Sequence, residues 1–167
     1  IITPSLKTRK ILLSYGVTRY INVVPNAIDF SSYGKEKDEE REKWFRKELG
    51  IEGKRILLYL GRVAKEKNIE ELMRGFNGYK LRYNDIKSIL LIVGSGPDME
   101  RLIAIKETLS FKDDIYFLGK VPHEDTMFYY QIADAFLSAS LSETQGLTYS
   151  EAIASSCLVL AKYDFNL

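Results

Sequence analysis

Cysteine is almost missing from this chain: Cys157 is the single thiol in 167 residues. No internal disulfide can form, and a reducing compartment is the expected setting. Histidine is as scarce, with His123 alone. One histidine and one cysteine are too few for a zinc site built from Cys and His, no catalytic triad is read around His123, and no metal is expected. Long apolar runs are also missing. Stretches such as Ile89 to Val93 (ILLIV) fall far short of the ~20 residues that cross a bilayer. Nor does one sign of charge dominate: 24 Lys and Arg against 23 Asp and Glu leave a formal +1, so nucleic acid is not an expected partner. No signal peptide is visible, the first residue is not Met, and the chain stops at YDFNL just after an apolar run. The expectation is a piece of a larger protein.

What is present is ordinary for a folded domain: 46% apolar and 28% charged residues, and a length that buries a layered core. The opening IITPS and LKTRKILLSYG read as a strand end, a turn and a short basic helix closed by Gly16. INVVPNAIDF follows as a short strand and a turn at Pro25-Asn26. The mixed charges of KEKDEEREKWFRKELG predict a surface helix anchored by Trp44, Phe45 and Leu49 and ended by Gly50. From Arg55 onward a rhythm sets in. Strands RILLYLG, SILLIVG, DIYFLG, DAFLSAS and CLVLA alternate with helical patterns NIEELMRGFNGYKLRY, PDMERLIAIKETL, HEDTMFYYQIA and TYSEAIAS. That alternation predicts an α/β fold: a doubly wound, Rossmann-like parallel sheet whose apolar strands are covered on both faces. Ligands of such sheets lie beyond the carboxyl ends of the strands, so the loops there carry the chemistry.

The first loop, GRVAKEKN, offers Arg62 and Lys67 just before Asn68 and Glu71, which have capping-box spacing. Two cations beside a helix start suit a phosphate or diphosphate, but taken alone they read better as ordinary exposed surface charges. In the second, VGSGPDMERL, Gly94 and Gly96 permit close backbone approach to a ligand. A tight strand-to-helix turn explains them equally well. A dinucleotide fingerprint would need a third glycine where Met99 stands, and DIYFLG ends in Gly and Lys rather than an acid, which weighs against an NAD-dependent oxidoreductase. The third loop, around Lys120 and Val121, presents backbone groups suited to a flat ligand such as a nucleobase, and His123 there reads as a surface or capping residue. The fourth, SETQGLTYSEAIAS, holds Glu143 and Glu151 around seven uncharged residues. Thr148 and Glu151 have capping-box spacing, yet both acids can also accept hydrogen bonds from sugar hydroxyls, with Gly146 and Leu147 offering backbone N–H groups. Spacing leaves both readings open.

Taken in order, VVPNAID, GRVAKEKNIEELMRGF, LLIVGSGPDMERL, IYFLGKV and SETQGLTYSEAIAS resemble the C-terminal, donor-binding half of the retaining family 4 glycosyltransferases, which have the GT-B fold. ETQGLTYSEA with YYQIADAFLSAS before it looks most like bacterial diacylglycerol glucosyltransferases. The resemblance implies transfer of a hexose, glucose from UDP-glucose, to an acceptor, with a diacylglycerol lipid as the candidate. It implies no cofactor beyond that nucleotide-sugar substrate, and a cytoplasmic protein, peripheral on the inner face of the membrane when full length. Residues 1–30 would be a remnant of the N-terminal domain and linker, and 31–167 the nucleotide-sugar-binding domain without its final elements.

Residue by residue, it implies that Arg62 and Lys67 bind the donor diphosphate and stabilise its leaving charge. Glu151 would hold the ribose hydroxyls and Glu143 the transferred sugar. Gly146, Leu147 and Thr148 would lie beside sugar and phosphate, Lys120 and Val121 beside the base, and the Gly94–Gly96 turn along the nucleotide. Departures stand beside these matches: Thr144-Gln145 replaces the usual Gly-Phe, Ala27 replaces the glycine of the PNG turn, and Ser156 and Leu158 stand where Gly and Pro are common. Without its partner domain, the 167-residue chain is expected to be inactive. The alternative is a non-catalytic nucleotide-binding or interaction module on the same scaffold.

Overall fold

Residues 1–27 make a small unit of their own in the computed structural model, which describes residues 1–27, 33, 36–140 and 146–162. Strand β1 (Ile2–Thr3) pairs in parallel with β2 (Asn22–Val23), and helix α1 (Leu6–Ser14) joins them. Ser5 caps α1 by accepting from the Thr8 N–H at 3.2 Å, which satisfies one of the unpaired donors of the first turn. The domain boundary expected near residue 30 falls outside the described residues.

The charged run forms α2 (Glu39–Glu48), capped by Asp38 accepting from the Arg41 N–H at 2.9 Å. Acids fill its first turn and Arg46 and Lys47 its last, as the helix dipole favours. Of its three expected anchors only two reach the core. Phe45 and Leu49 stand four residues apart on one face and pack inward. Trp44 is rotated by about a quarter turn from that face and is 62% exposed.

The main sheet has five parallel strands: β3 (Arg55–Leu60), β4 (Ser88–Val93), β5 (Ile115–Gly119), β6 (Ala135–Ser138) and β7 (Leu158–Ala161). Their order is β5-β4-β3-β6-β7. The chain therefore winds outward from β3 to β5, then returns to the other side of β3. The connecting helices are α3 (Ile69–Tyr83), α4 (Met99–Lys106), α5 (Thr126–Ile132) and α6 (Leu147–Ala154). Side-chain alternation along the strands divides the core in two. Tyr59, Leu90 and Ile92 meet Met73, Phe76 and Leu102 from α3 and α4. Ile56, Leu58, Leu91 and Phe136 meet Phe128 and Tyr130 from α5 and Ala152 from α6.

The register of β3 on β6 is held by Asp134. Its carboxylate accepts the Ile56 N–H at 2.7 Å, and its own N–H donates to the Ile56 carbonyl at 2.9 Å. The sheet departs from the expected double covering at one edge. Val159 packs inward, but Leu158 and Leu160, on the opposite face of β7, are 60% and 52% exposed.

Candidate functional site

Where the strand order reverses, neighbouring loops run to opposite faces and leave a crevice between β3 and β6. A cleft of about 300 Å³ opens there. Tyr59, Gly61 and Arg62 line it from the end of β3, Ser138 from the end of β6, and Gly146, Leu147 and Thr148 from the start of α6. Lys67 enters from the turn before α3, while Pro4 and Asn26 of the N-terminal unit close one side.

The β3 loop is shaped by its own residues. The Tyr59 hydroxyl donates to the Arg62 carbonyl at 2.7 Å and folds the chain back after the strand. A 3-10 turn at Lys65–Lys67 follows, and Asn68, with φ 52°, leads into α3. The expected capping box does not form, because an N-cap needs extended backbone and Asn68 is left-handed. Its carboxamide donates to the Glu71 carboxylate instead, which also pairs with Lys162 at 2.8 Å. Arg62 is exposed and borders two further cavities. One, about 270 Å³, is lined by Gly94, Lys120 and Val121; the other, about 250 Å³, by Lys65, Pro97 and Asp98. Among the described residues no carboxylate forms an ion pair with Arg62. Nearby Asp98 is engaged by Arg101 at 2.7 Å, whose hydrogen bonds hold its carboxyl below the usual range.

Gly94 and Gly96 answer first to their neighbours. A Cβ on Gly94 would lie 1.8 Å from the Gly61 carbonyl oxygen, and one on Gly96 would lie 2.2 Å from that of Val63. The two loops also exchange backbone hydrogen bonds, Val63 N–H to Ser95 and Asp98 N–H to Val63. Close packing of the β4 loop on the β3 loop therefore requires both glycines. Gly94 still borders a cavity wall.

At α6 the expected cap is also displaced. Gly146, with φ 64°, is the N-cap, so Thr148 is already inside the helix and its hydroxyl caps nothing. Glu151 follows the cleft-lining Leu147 and Thr148 by four and three residues, on the same side of the helix. Its carboxylate accepts the Tyr130 hydroxyl at 3.0 Å and also the Tyr33 hydroxyl. Burial, then the Glu151 carboxylate, pushes the pKa of both tyrosines above the ordinary value. Glu143 lies outside the described residues. His123 is exposed in a 3-10 turn before α5, and burial raises the pKa of the Cys157 thiol, which touches no cavity described above.

The sequence reading did not reach Tyr59, Ser138 or Tyr130. Ser138 was within reach, since it ends a strand at the correct edge. Tyr130 was not, because it meets Glu151 across 21 residues of chain.

Comparison with known proteins gives three kinds of match. Residues 40–164 match the family model described as glycosyl transferases group 1. The alpha-monoglucosyldiacylglycerol synthase of Streptococcus pneumoniae (strain ATCC BAA-255 / R6) is 36% identical over 163 residues, 96% of this chain and 36% of that protein. That of Acholeplasma laidlawii is 35% identical over 147 residues, 85% of this chain and 36% of its own length. This chain thus spans about a third of these relatives. Among solved structures, Anabaena Alr3699/HepE in complex with UDP-glucose superposes with a TM-score of 0.82 at 18% identity, covering 96% of this chain and 43% of that one.

Proposed function

The chain belongs to the glycosyl transferases group 1, and from that premise we propose that it is the donor-binding half of a retaining enzyme that moves glucose from UDP-glucose to a diacylglycerol acceptor. The observation that carries the reading is the convergence of Arg62, Lys67 and the start of α6 on one cleft at the strand-order reversal, with a second cavity on the far side of Arg62. The donor diphosphate lies against the two cations and the first N–H groups of α6. The base occupies the cavity of Gly94, Lys120 and Val121, and the hexose lies over Gly146, Leu147 and Thr148 with Glu143 toward it. Glu151 holds the ribose.

In this arrangement the charge that develops on the leaving diphosphate meets fixed cations, where stabilisation acts on the transition state more than on the bound donor. The names of the relatives from Streptococcus pneumoniae and Acholeplasma laidlawii support glucose and a diacylglycerol lipid. The solved complex with UDP-glucose supports the donor. Acceptor contacts and attachment to the inner face of the membrane belong to the longer protein, and the 167-residue chain alone transfers nothing.

Calorimetry on the full-length protein tests the reading. Arg62→Ala and Lys67→Ala are each expected to weaken UDP binding by about tenfold or more, the scale of a lost hydrogen bond to a charged group. His123→Ala should bind as the parent does. Folded protein that binds no UDP would overturn the proposal. Binding without glucose transfer to diacylglycerol vesicles would favour the nucleotide-binding module instead.

A further inference from the structure

Glu151 is a half-buried carboxylate that, among the described residues, forms no ion pair. Two tyrosine hydroxyls, those of Tyr130 and Tyr33, hydrogen-bond to it. Tyr130 is fully buried, its ring set edge-on against Phe136 with centroids 5.7 Å apart, inside the core shared by α5, α6 and the sheet. Such a ring has one place to put its hydroxyl, and that place is Glu151 Oε2, 3.0 Å away. A carboxylate accepts about four hydrogen bonds, so two tyrosines leave capacity for further donors. A glutamate left to itself samples several rotamers, and ordering it on binding costs affinity.

Resting on the reading above, in which Glu151 holds the ribose, we propose that Tyr130 is a positioning residue: its buried hydroxyl pre-orients Glu151 for the two hydroxyls of the donor ribose, with Tyr33 as a second support. The core of α5 and α6 thereby sets nucleoside recognition at a cleft that Tyr130 does not itself line.

The test compares UDP, 2′,3′-dideoxy-UDP and pyrophosphate by calorimetry on the full-length protein. The parent should prefer UDP over the dideoxy analogue by about tenfold or more, and Glu151→Gln should largely abolish that preference. Tyr130→Phe keeps the ring and should cut the preference severalfold, with pyrophosphate affinity unchanged, and adding it to Glu151→Gln should cost nothing more. If Tyr130→Phe keeps the full preference while Glu151→Gln loses it, positioning by Tyr130 is refuted and the ribose role of Glu151 stands. If Glu151→Gln keeps the preference, the ribose role itself fails, and the positioning role with it. Should Tyr130→Phe fail to fold, Tyr33→Phe reads the same ratio: a reduced preference bears out positioning by the tyrosine hydroxyls, and an unchanged one counts against it.

Discussion

Single side chains in this molecule show how neighbours decide what a residue does. Asp85 is nearly buried, which by itself pushes its carboxyl up. Hydrogen bonds from the Ser88 hydroxyl, the Lys87 N–H and the Tyr79 hydroxyl, with Arg55 at 2.6 Å, outweigh that and hold it well below the usual range. A carboxyl depressed in the folded state stabilises fully above its unfolded pKa of about 4, and that contribution drains away as pH falls below it. Asp85→Asn is therefore expected to lose ~1–3 kcal/mol at pH 7, measured by urea unfolding, and progressively less toward pH 2. A penalty that stays constant with pH would contradict this account. Glu151 makes the same point at the cleft. From spacing alone it was both a helix cap and a sugar ligand; the structure removes the cap and leaves a carboxylate held by two tyrosines.

Among elements, the paired loops after β3 and β4 are the clearest unit. Their glycines read in sequence as either a tight turn or a place for a ligand, and the packing distances give the turn its reason. Gly94 has φ 137° and no room for a methyl group, so Gly94→Ala should cost upward of ~3 kcal/mol in chemical denaturation or prevent folding. Gly78 offers the opposite case. It is an exposed residue within α3, with nothing within 4 Å of a built Cβ. Gly78→Ala should raise stability by ~0.5–1 kcal/mol, visible as a higher midpoint in the same experiment. Helix and strand placement was legible because period and punctuation agree locally. Caps were not: Asn68 and Gly146 both adopt left-handed backbone, which a capping-box spacing cannot reveal.

Across the whole molecule, the two ends of the sheet carry separate tasks. The carboxyl ends hold the cleft. At the other end, fully buried Lys80 donates to the Ser88 carbonyl at 2.7 Å and pairs with Asp114 at 2.7 Å, between the rings of Phe76 and Phe111. It ties the end of α3 to the start of β4 and to the turn before β5. Lys80→Met leaves Asp114 without this partner and should cost ~2–4 kcal/mol. UDP affinity at 25 °C should stay within about twofold, since distant sites act independently. A large loss of affinity in folded protein would show that the ends are coupled.

What the sequence determined by itself was the class of fold and the place of Arg62 and Lys67 at the carboxyl edge of the sheet. Those follow from local periodicity and from the rule that parallel sheets bind at their carboxyl ends. What only the tertiary structure decided was which residues meet: the cleft between β3 and β6, the loop packing that demands Gly94 and Gly96, the outward turn of Trp44, and the hydroxyl of Tyr130 on Glu151. Each depends on strand order and on backbone conformation at single residues. These are set by contacts between segments far apart in the chain, and no local spacing encodes them.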